Sequence, residues 1–293
     1  AHRRALRGLL RHGSADQRAK LACMREVIAD PLDPRLDDVR DLNKSDKKGE
    51  GLVIAEGHLV VSRLADSRFP LRCVVGFGAK LDAYVEEYGD PGCPMYEVSR
   101  ETLAAVAGFD MHRGLVAAAD RAPEPSLDEI LKTASTVVVL EGVGDHENIG
   151  AIFRNAAGMD VDAVLLGSGA ADPLYRRSVR VSMGHVLRLP FAHLDGGYTT
   201  WQRSLQALRD ADFRLVSLTP HPEAVHLAEA LRGATKAALL VGAEGPGLTE
   251  HAMKATDVRA RIPMAPGTDS LNVATAAAIA FYERQRSRID FEV

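Results

Sequence analysis

The sequence predicts an α/β protein of two units, the second built on a parallel sheet with helices on both faces. Three observations carry that expectation. From residue 136 onward, short apolar runs alternate with helical stretches across short connections, the pattern of strands laid parallel. The stretch Ala122-Pro123-Glu124-Pro125-Ser126 interrupts the chain, because two prolines resist continuation of helix and sheet alike. Within the second unit, the apolar run 237–241 opens into Gly242-Ala243-Glu244-Gly245-Pro246-Gly247-Leu248 before a helix starts at Thr249. An apolar run of that length ended by glycines is a buried strand running into a loop of special geometry.

Residues 1–23 carry Arg3, Arg4, Arg7, Arg11, Arg18 and Lys20 against the single acid Asp16. They read as a basic extension, either a frayed tail or sequence translated ahead of a start at Met24, with a phosphate-touching arm as the alternative. Residues 24–122 form the first unit. Helices are expected at 37–43, 56–65, 79–88 and 100–107, and strands at 51–55, 71–76, 94–98 and 114–119. The polar run Lys44-Ser45-Asp46-Lys47-Lys48-Gly49 is a solvated basic loop. After a linker at 123–135, the second unit occupies 136–293. Its strands are expected at 136–140, 163–166, 186–189, 213–218, 237–241 and 258–262, with a closing helix over 270–288. Asp172-Pro173 should start a helix, with aspartate as cap and proline in the first turn.

Composition narrows the class. A chain of 293 residues can bury two cores, and 46% hydrophobic with 26% charged residues is ordinary for a globular protein. No apolar run approaches the ~20 residues of a membrane span, so no membrane association is expected. Cys23, Cys73 and Cys93 are odd in number and form no Cys-x-x-Cys pair, which favours a reducing cytoplasm over a disulfide or zinc framework. The scattered histidines form no His-Glu-x-x-His, so no metal is expected. A net charge of −4 does not announce a nucleic-acid binder, and the distribution of basic residues matters more than the sum.

Three constellations carry candidate chemistry. In the first, Gly242, Gly245 and Gly247 can take φ > 0 and let a ligand approach bare backbone, while Glu244 places a carboxylate among them. The span 242–249 nearly matches a phosphate-binding loop, but Leu248 stands where the lysine must be, which excludes that reading. In the second, Glu141-Gly142-Val143-Gly144-Asp145-His146-Glu147-Asn148-Ile149-Gly150 follows a strand. Asp145 and Glu147 would repel a pyrophosphate, so it is no dinucleotide fingerprint. Asn148 and Arg154, about two turns into the next helix, are expected to face a cleft at the strand's C-terminal end. In the third, Ile262-Pro263-Met264 precedes Ser270-Leu271-Asn272-Val273-Ala274, with Asp269 or Ser270 as helix cap and Asn272 placed for a specific hydrogen bond. Each alone has a plain structural explanation: a strand-to-helix turn, a surface arginine, a capped helix.

Together they stand in the order and spacing of one family. Asn148-Ile149-Gly150-Ala151-Ile152-Phe153-Arg154, then Val241 to Leu248, then Ile262-Pro263-Met264 with Ser270-Leu271-Asn272-Val273 make the second unit resemble the SpoU branch of the SPOUT RNA 2′-O-ribose methyltransferases, over about 136–286. Ser178-Val179-Arg180-Val181-Ser182-Met183-Gly184-His185 looks like the helix-end signature of that family. The first unit resembles, more loosely, the substrate-RNA-binding domain of these enzymes, itself similar to certain ribosomal proteins. Ala55-Glu56-Gly57 and His112-Arg113-Gly114-Leu115-Val116 are its landmarks. The chain departs from the family pattern at His146, Asn155 and Arg113.

The resemblance implies a trefoil-knotted parallel-sheet domain, a homodimer whose site is completed near the partner, and S-adenosyl-L-methionine as cofactor. Thr219, Gly242, Glu244, Gly245, Gly247, Ile262, Met264 and Leu271 are the implied cofactor-binding residues. Arg154, Asn148, Glu244, Ser270 and Asn272 are the implied catalytic set. Arg154 stands where the family proposal puts the proton-removing group, but a guanidinium stays protonated, so holding a substrate phosphate and polarising the ribose oxygen suits it better. The expected activity is methylation of a ribose 2′-hydroxyl in ribosomal or transfer RNA. The alternatives are an RNA-binding protein on a non-catalytic scaffold of this type, against which the intact motifs count, and base methylation of transfer RNA.

Overall fold

The structure, a computed structural model, describes residues 25–45, 51–268 and 270–288. The basic extension 1–23, Lys47 and Lys48, and the candidate cap Asp269 lie outside the described residues. The chain separates between Arg121 and Ala122 into two compact units.

The first unit holds strands β1 (Arg25–Val27), β2 (Leu52–Glu56), β3 (Leu71–Gly76), β4 (Met95–Glu97) and β5 (Leu115–Asp120) in the order β1-β4-β3-β5-β2. β5 is antiparallel to β2 and β3, while β4 runs parallel to β3 and β1. Small side chains suit β5, whose Val116, Ala117, Ala118 and Ala119 are fully buried. The helix expected at 37–43 is instead a 3₁₀ turn, Pro34–Val39, followed by α1 (Leu42–Ser45). Asp33 caps the turn by accepting from the Arg35 amide, and Asp41 at φ 50° then breaks the helical path. Glu56 closes β2 rather than opening a helix; Gly57, at φ 81°, turns the chain into α2 (His58–Ala65). Helices α3 (Gly78–Tyr88) and α4 (Arg100–Ala107) complete the unit, α4 capped by Ser99, which accepts from the Thr102 amide at 3.1 Å.

The second unit opens with α5 (Leu127–Leu131), inside the stretch read as linker. Ser126 and Glu129 form a reciprocal capping box there, a Ser-x-x-Glu signature that the two neighbouring prolines obscured. Seven strands follow: β6 (Thr136–Glu141), β7 (Ala163–Leu166), β8 (Phe191–His193), β9 (Phe213–Leu218), β10 (Val225–His226), β11 (Lys236–Gly242) and β12 (Val258–Arg261). All pairings are parallel and the order is β10-β12-β9-β11-β6-β7-β8. β6 is buried along its whole length, as a strand covered on both faces must be.

Two expectations fail here for local reasons. Residues 186–189 are not a strand: His185–Leu187 is a 3₁₀ turn entered through Gly184 at φ 79°, and the strand lies beyond Pro190. Val186 and Leu187 are buried, so the apolar run marks packing, which does not distinguish a strand from a turn. Asp172-Pro173 makes a turn, with Asp172 accepting from the Leu174 amide at 2.9 Å, and the helix starts later as α7 (Arg176–Val181). The other helices are α6 (His146–Gly158), α8 (Leu205–Asp210), α9 (Leu227–Leu231), α10 (Glu250–Lys254) and α11 (Val273–Ser287). On α11, Arg284 is buried and donates to Thr136 Oγ1 at 3.1 Å and to the carbonyls of Ala234 at 2.6 Å and Thr235 at 2.8 Å, anchoring the helix to the segments that lead into β6 and β11. Among the described residues no helix is long and apolar enough to cross a membrane.

Candidate active site

The chain leaves β6 for β7 and β8 on one side, then crosses to β9 and returns to insert β11 between β9 and β6. Such a reversal opens a crevice at the C-terminal ends of parallel strands. A cavity of about 610 Å³ lies there, lined by residues that follow β9, by the glycine loop after β11, and by the segment between β12 and α11.

The glycine loop folds back on its own strand. The Gly247 amide donates to the Ala243 carbonyl at 2.9 Å, and Gly245 and Gly247 take φ 87° and 69°. Gly242 is different, because it is not among the positive-φ residues. A Cβ there would lie 2.2 Å from the Gly247 carbonyl carbon and the Leu248 nitrogen, so glycine is needed for the return of the chain itself. The expectation that Gly242 is bare to admit a ligand is corrected to that extent. Thr249 then caps α10, accepting from the Ala252 amide at 3.1 Å.

Asn272 connects the three constellations. It caps α11, its Oδ1 accepting from the amides of Ala274 at 3.0 Å and Thr275 at 3.1 Å. The cap expected at Asp269 or Ser270 therefore falls on Asn272. With the oxygen so engaged, Nδ2 must point the other way, and it donates to Asn148 Oδ1 at 2.9 Å and Glu244 Oε1 at 2.6 Å. Asn148, in the first turn of α6, is buried, and Asp145 caps that helix by accepting from the Glu147 amide. Three segments far apart in sequence thus meet at one amide.

Of the residues singled out from sequence, Thr219, Gly242, Glu244, Gly245, Gly247, Ile262, Met264, Ser270, Leu271 and Asn272 line the cavity. Asn148 reaches it through Asn272. Arg154 does not line it. The residue is exposed on α6, about 120° around the helix from Asn148 at 3.6 residues per turn, and its side chain has no hydrogen bond or ion pair among the described residues. Its neighbour Asn155 is the one that faces α11, donating to the Ala274 carbonyl at 3.2 Å. Gly150, one turn before Arg154, packs against α7, where a Cβ would meet Val181 Cβ at 2.7 Å.

Sequence reasoning gave no role to Glu141, the last residue of β6, which is 3% exposed. Its carboxylate accepts from Trp201 Nε1, Thr249 Oγ1 and the Thr249 amide. The available signal was a carboxylate directly after the apolar run Val-Val-Val-Leu in a buried strand. Chemically, the cavity offers apolar walls at Ile262, Met264 and Leu271, bare backbone at Gly245 and Gly247, and one carboxylate, Glu244. That set can take a flat heteroaromatic ring with polar substituents.

Comparison with known proteins bears on the family and the fold. Residues 135–282 match the model of the SpoU rRNA Methylase family. An "uncharacterized tRNA/rRNA methyltransferase" of Mycobacterium tuberculosis is 53% identical over 89% of this chain and 91% of its own. A 23S rRNA (guanosine-2′-O-)-methyltransferase of Bordetella pertussis is 29% identical over 80% of this chain and 97% of its own. The fold matches the crystal structure of an AdoMet-bound rRNA methyltransferase from Sinorhizobium meliloti with a TM-score of 0.74, at 23% identity, over 91% of this chain and 100% of that one.

Proposed function

The chain belongs to the SpoU rRNA methylase family, and on that premise we propose that it transfers a methyl group from S-adenosylmethionine to a ribose 2′-hydroxyl of ribosomal or transfer RNA. The observation that carries the reading is the Asn272 amide, bonded at once to Asn148 and Glu244 beside the cavity. The guanosine-2′-O activity named for the Bordetella relative favours ribose over base.

The residues present fit the cofactor. Ile262, Met264 and Leu271 provide apolar walls for adenine and the methionine chain, Gly245 and Gly247 provide exposed backbone, and Thr219 adds a hydroxyl to the same lining. When bound, S-adenosylmethionine supplies a sulfonium methyl open to in-line attack. The chain's own task is then alignment and loss of the hydroxyl proton, since a positive charge is consumed and no large anion builds up. Asn148, Glu244, Ser270 and Asn272 orient the reacting groups. Arg154 holds a substrate phosphate with its two-pronged guanidinium and polarises the ribose oxygen, remaining protonated throughout.

The exposed position of Arg154, outside the cavity of its own chain, supports a homodimer. Ile279 and Tyr282 on α11 are 38% and 59% exposed, and a two-fold pairing over α6 and α11 would cover them while carrying Arg154 to the partner's cavity. The return of the segment before α11 to Asn148 and Glu244 supports a trefoil knot in the second unit. The first unit is read as the RNA-binding domain, with Arg113 among its phosphate contacts, and the reaction is placed in the cytoplasm.

The test is transfer of labelled methyl groups to total RNA from cells lacking the gene, followed by mapping of alkali-resistant ribose sites. Label in ribose supports the reading. Label on a base redirects it to base methylation, and cofactor binding without transfer to any RNA leaves a non-catalytic RNA-binding scaffold.

A further inference from the structure

The glycine loop has two ends, and one residue holds both. Glu141 is the register partner of Gly242 where β6 lies beside β11, so its backbone sits next to the start of the loop. Its side chain holds the finish: Oε2 accepts from the Thr249 amide at 2.8 Å and Oε1 from Thr249 Oγ1 at 2.9 Å. Two further donors, Trp201 Nε1 at 2.8 Å and Gln202 Nε2 at 3.4 Å, also meet Oε1. The carboxylate is buried, and every one of these partners is a neutral donor. Such charge-assisted bonds are stronger than neutral ones, and inside a protein their loss leaves polar groups unpaired at a high cost.

We infer that Glu141 is a positioning residue for cofactor binding, its carboxylate fixing the closed geometry of the 242–249 loop against which S-adenosylmethionine lies. The inference rests on the cofactor reading above. The chemistry requires a full carboxylate, because both oxygens face donors. A carboxamide must turn its NH₂ group toward one of them, and aspartate falls one methylene short of Thr249. Trp201 and Gln202 stop the group from swinging away, and Trp201 connects it to the loop around Gly196, where a Cβ would lie 2.7 Å from the Trp201 amide.

The experiment uses the full chain and its single tryptophan. Calorimetry with S-adenosylmethionine should show Glu141→Gln raising Kd at least tenfold. Val164→Ala, which removes buried volume from β7 and touches neither the loop nor the cavity, should lower Tm and leave Kd within about twofold. In the unsubstituted protein the Trp201 indole N–H resonance should shift on cofactor addition, because its acceptor also holds Thr249. Unchanged affinity in a folded Glu141→Gln protein, or an equal affinity loss in Val164→Ala at matched Tm, overturns the assignment. If the unsubstituted protein does not bind the cofactor, the functional reading fails first. Hydrogen exchange of residues 242–249 then decides the anchor alone: Glu141→Gln should accelerate it at least tenfold, and unchanged protection refutes the clamp.

Discussion

The side-chain amide of Asn272 donates to Asn148 Oδ1 at 2.9 Å, joining residues 124 positions apart in the chain. The same nitrogen donates to Glu244 while the amide oxygen caps α11. One side chain therefore fixes a helix start and the meeting point of three segments.

Those two tasks can be separated by substitution. Aspartate caps helices as well as asparagine, so Asn272→Asp should keep the cap of α11, while Asn272→Ala should lose about 1 kcal/mol of cap energy. Asn272→Asp, however, brings a carboxylate against that of Glu244, whose Oε1 now lies 2.6 Å from Nδ2. Single-turnover methyl transfer should drop at least about a hundredfold in both variants, roughly 2.7 kcal/mol of barrier. A near-normal rate in Asn272→Asp would restrict the residue to capping.

Gly242 and Gly245 separate two reasons for glycine. A Cβ on Gly242 meets backbone at 2.2 Å, whereas one on Gly245 meets nothing within 4 Å but must accept φ 87°. Gly242→Ala should therefore destabilise the cofactor-free protein, by roughly 1–3 kcal/mol for an overpacked site. Gly245→Ala should cost about 1–2 kcal/mol of left-handed strain. Thermal melts without ligand check this, and an unchanged melt for Gly242→Ala would return the glycine to a purely ligand-facing role.

What the sequence made legible follows from where local signals and tertiary signals agree. β6, β7 and β11 are built on unbroken apolar runs with no competing reading, and they lie where expected, as does β9. The run at Val186 was equally apolar, but its burial serves a turn, and only the left-handed Gly184 and the position of Pro190 decide that. The glycine loop and the segment before α11 were legible as a candidate site because they carry groups poorly suited to strands and helices, and both line the cavity. Glu141 was not, since a single carboxylate at a strand end acquires meaning only when Trp201 and Thr249 fold onto it. Arg154 was expected to face the cleft, and sequence spacing could not show that it lies outside the cavity lining.

The cysteines give a pH prediction. Burial pushes the Cys73 thiol up to about 12 and the Cys93 thiol up to about 11, from an ordinary value near 9. Both should resist alkylation at pH 8.5 in the folded protein and react on unfolding. A thiol raised on folding contributes stability that is present below its unfolded value and lost above it. Stability should therefore fall as pH rises from about 9 toward 12, since the unfolded chain ionises first. Denaturant melts across that range, with peptide mapping of the alkylated cysteines, test the assignment; labelling of native Cys73 or Cys93 at pH 8.5 would contradict it.

The Arg154 side chain is exposed and has no hydrogen bond or ion pair among the described residues, so its substitution should cost little stability, within about 0.5 kcal/mol, as for other exposed positions. Arg154→Ala and Arg154→Lys should bind S-adenosylmethionine nearly normally. Both should lose at least about a hundredfold in single-turnover rate, because lysine offers a point charge where a two-pronged guanidinium is needed. The dimer reading adds a sharper expectation. If Arg154 serves the partner's cavity, a dimer pairing Arg154→Ala with Asn272→Asp contains one site with both residues intact and one with neither. Mixing the two inactive variants and allowing subunit exchange should then restore activity to about a quarter of normal, since half the dimers are mixed and each carries one good site of two. If Arg154 serves its own cavity, every site in the mixture lacks one residue and no activity returns. Recovery in the mixture, followed alongside the exchange of a labelled subunit, supports the shared site. Complete exchange without recovery excludes it and returns Arg154 to its own chain.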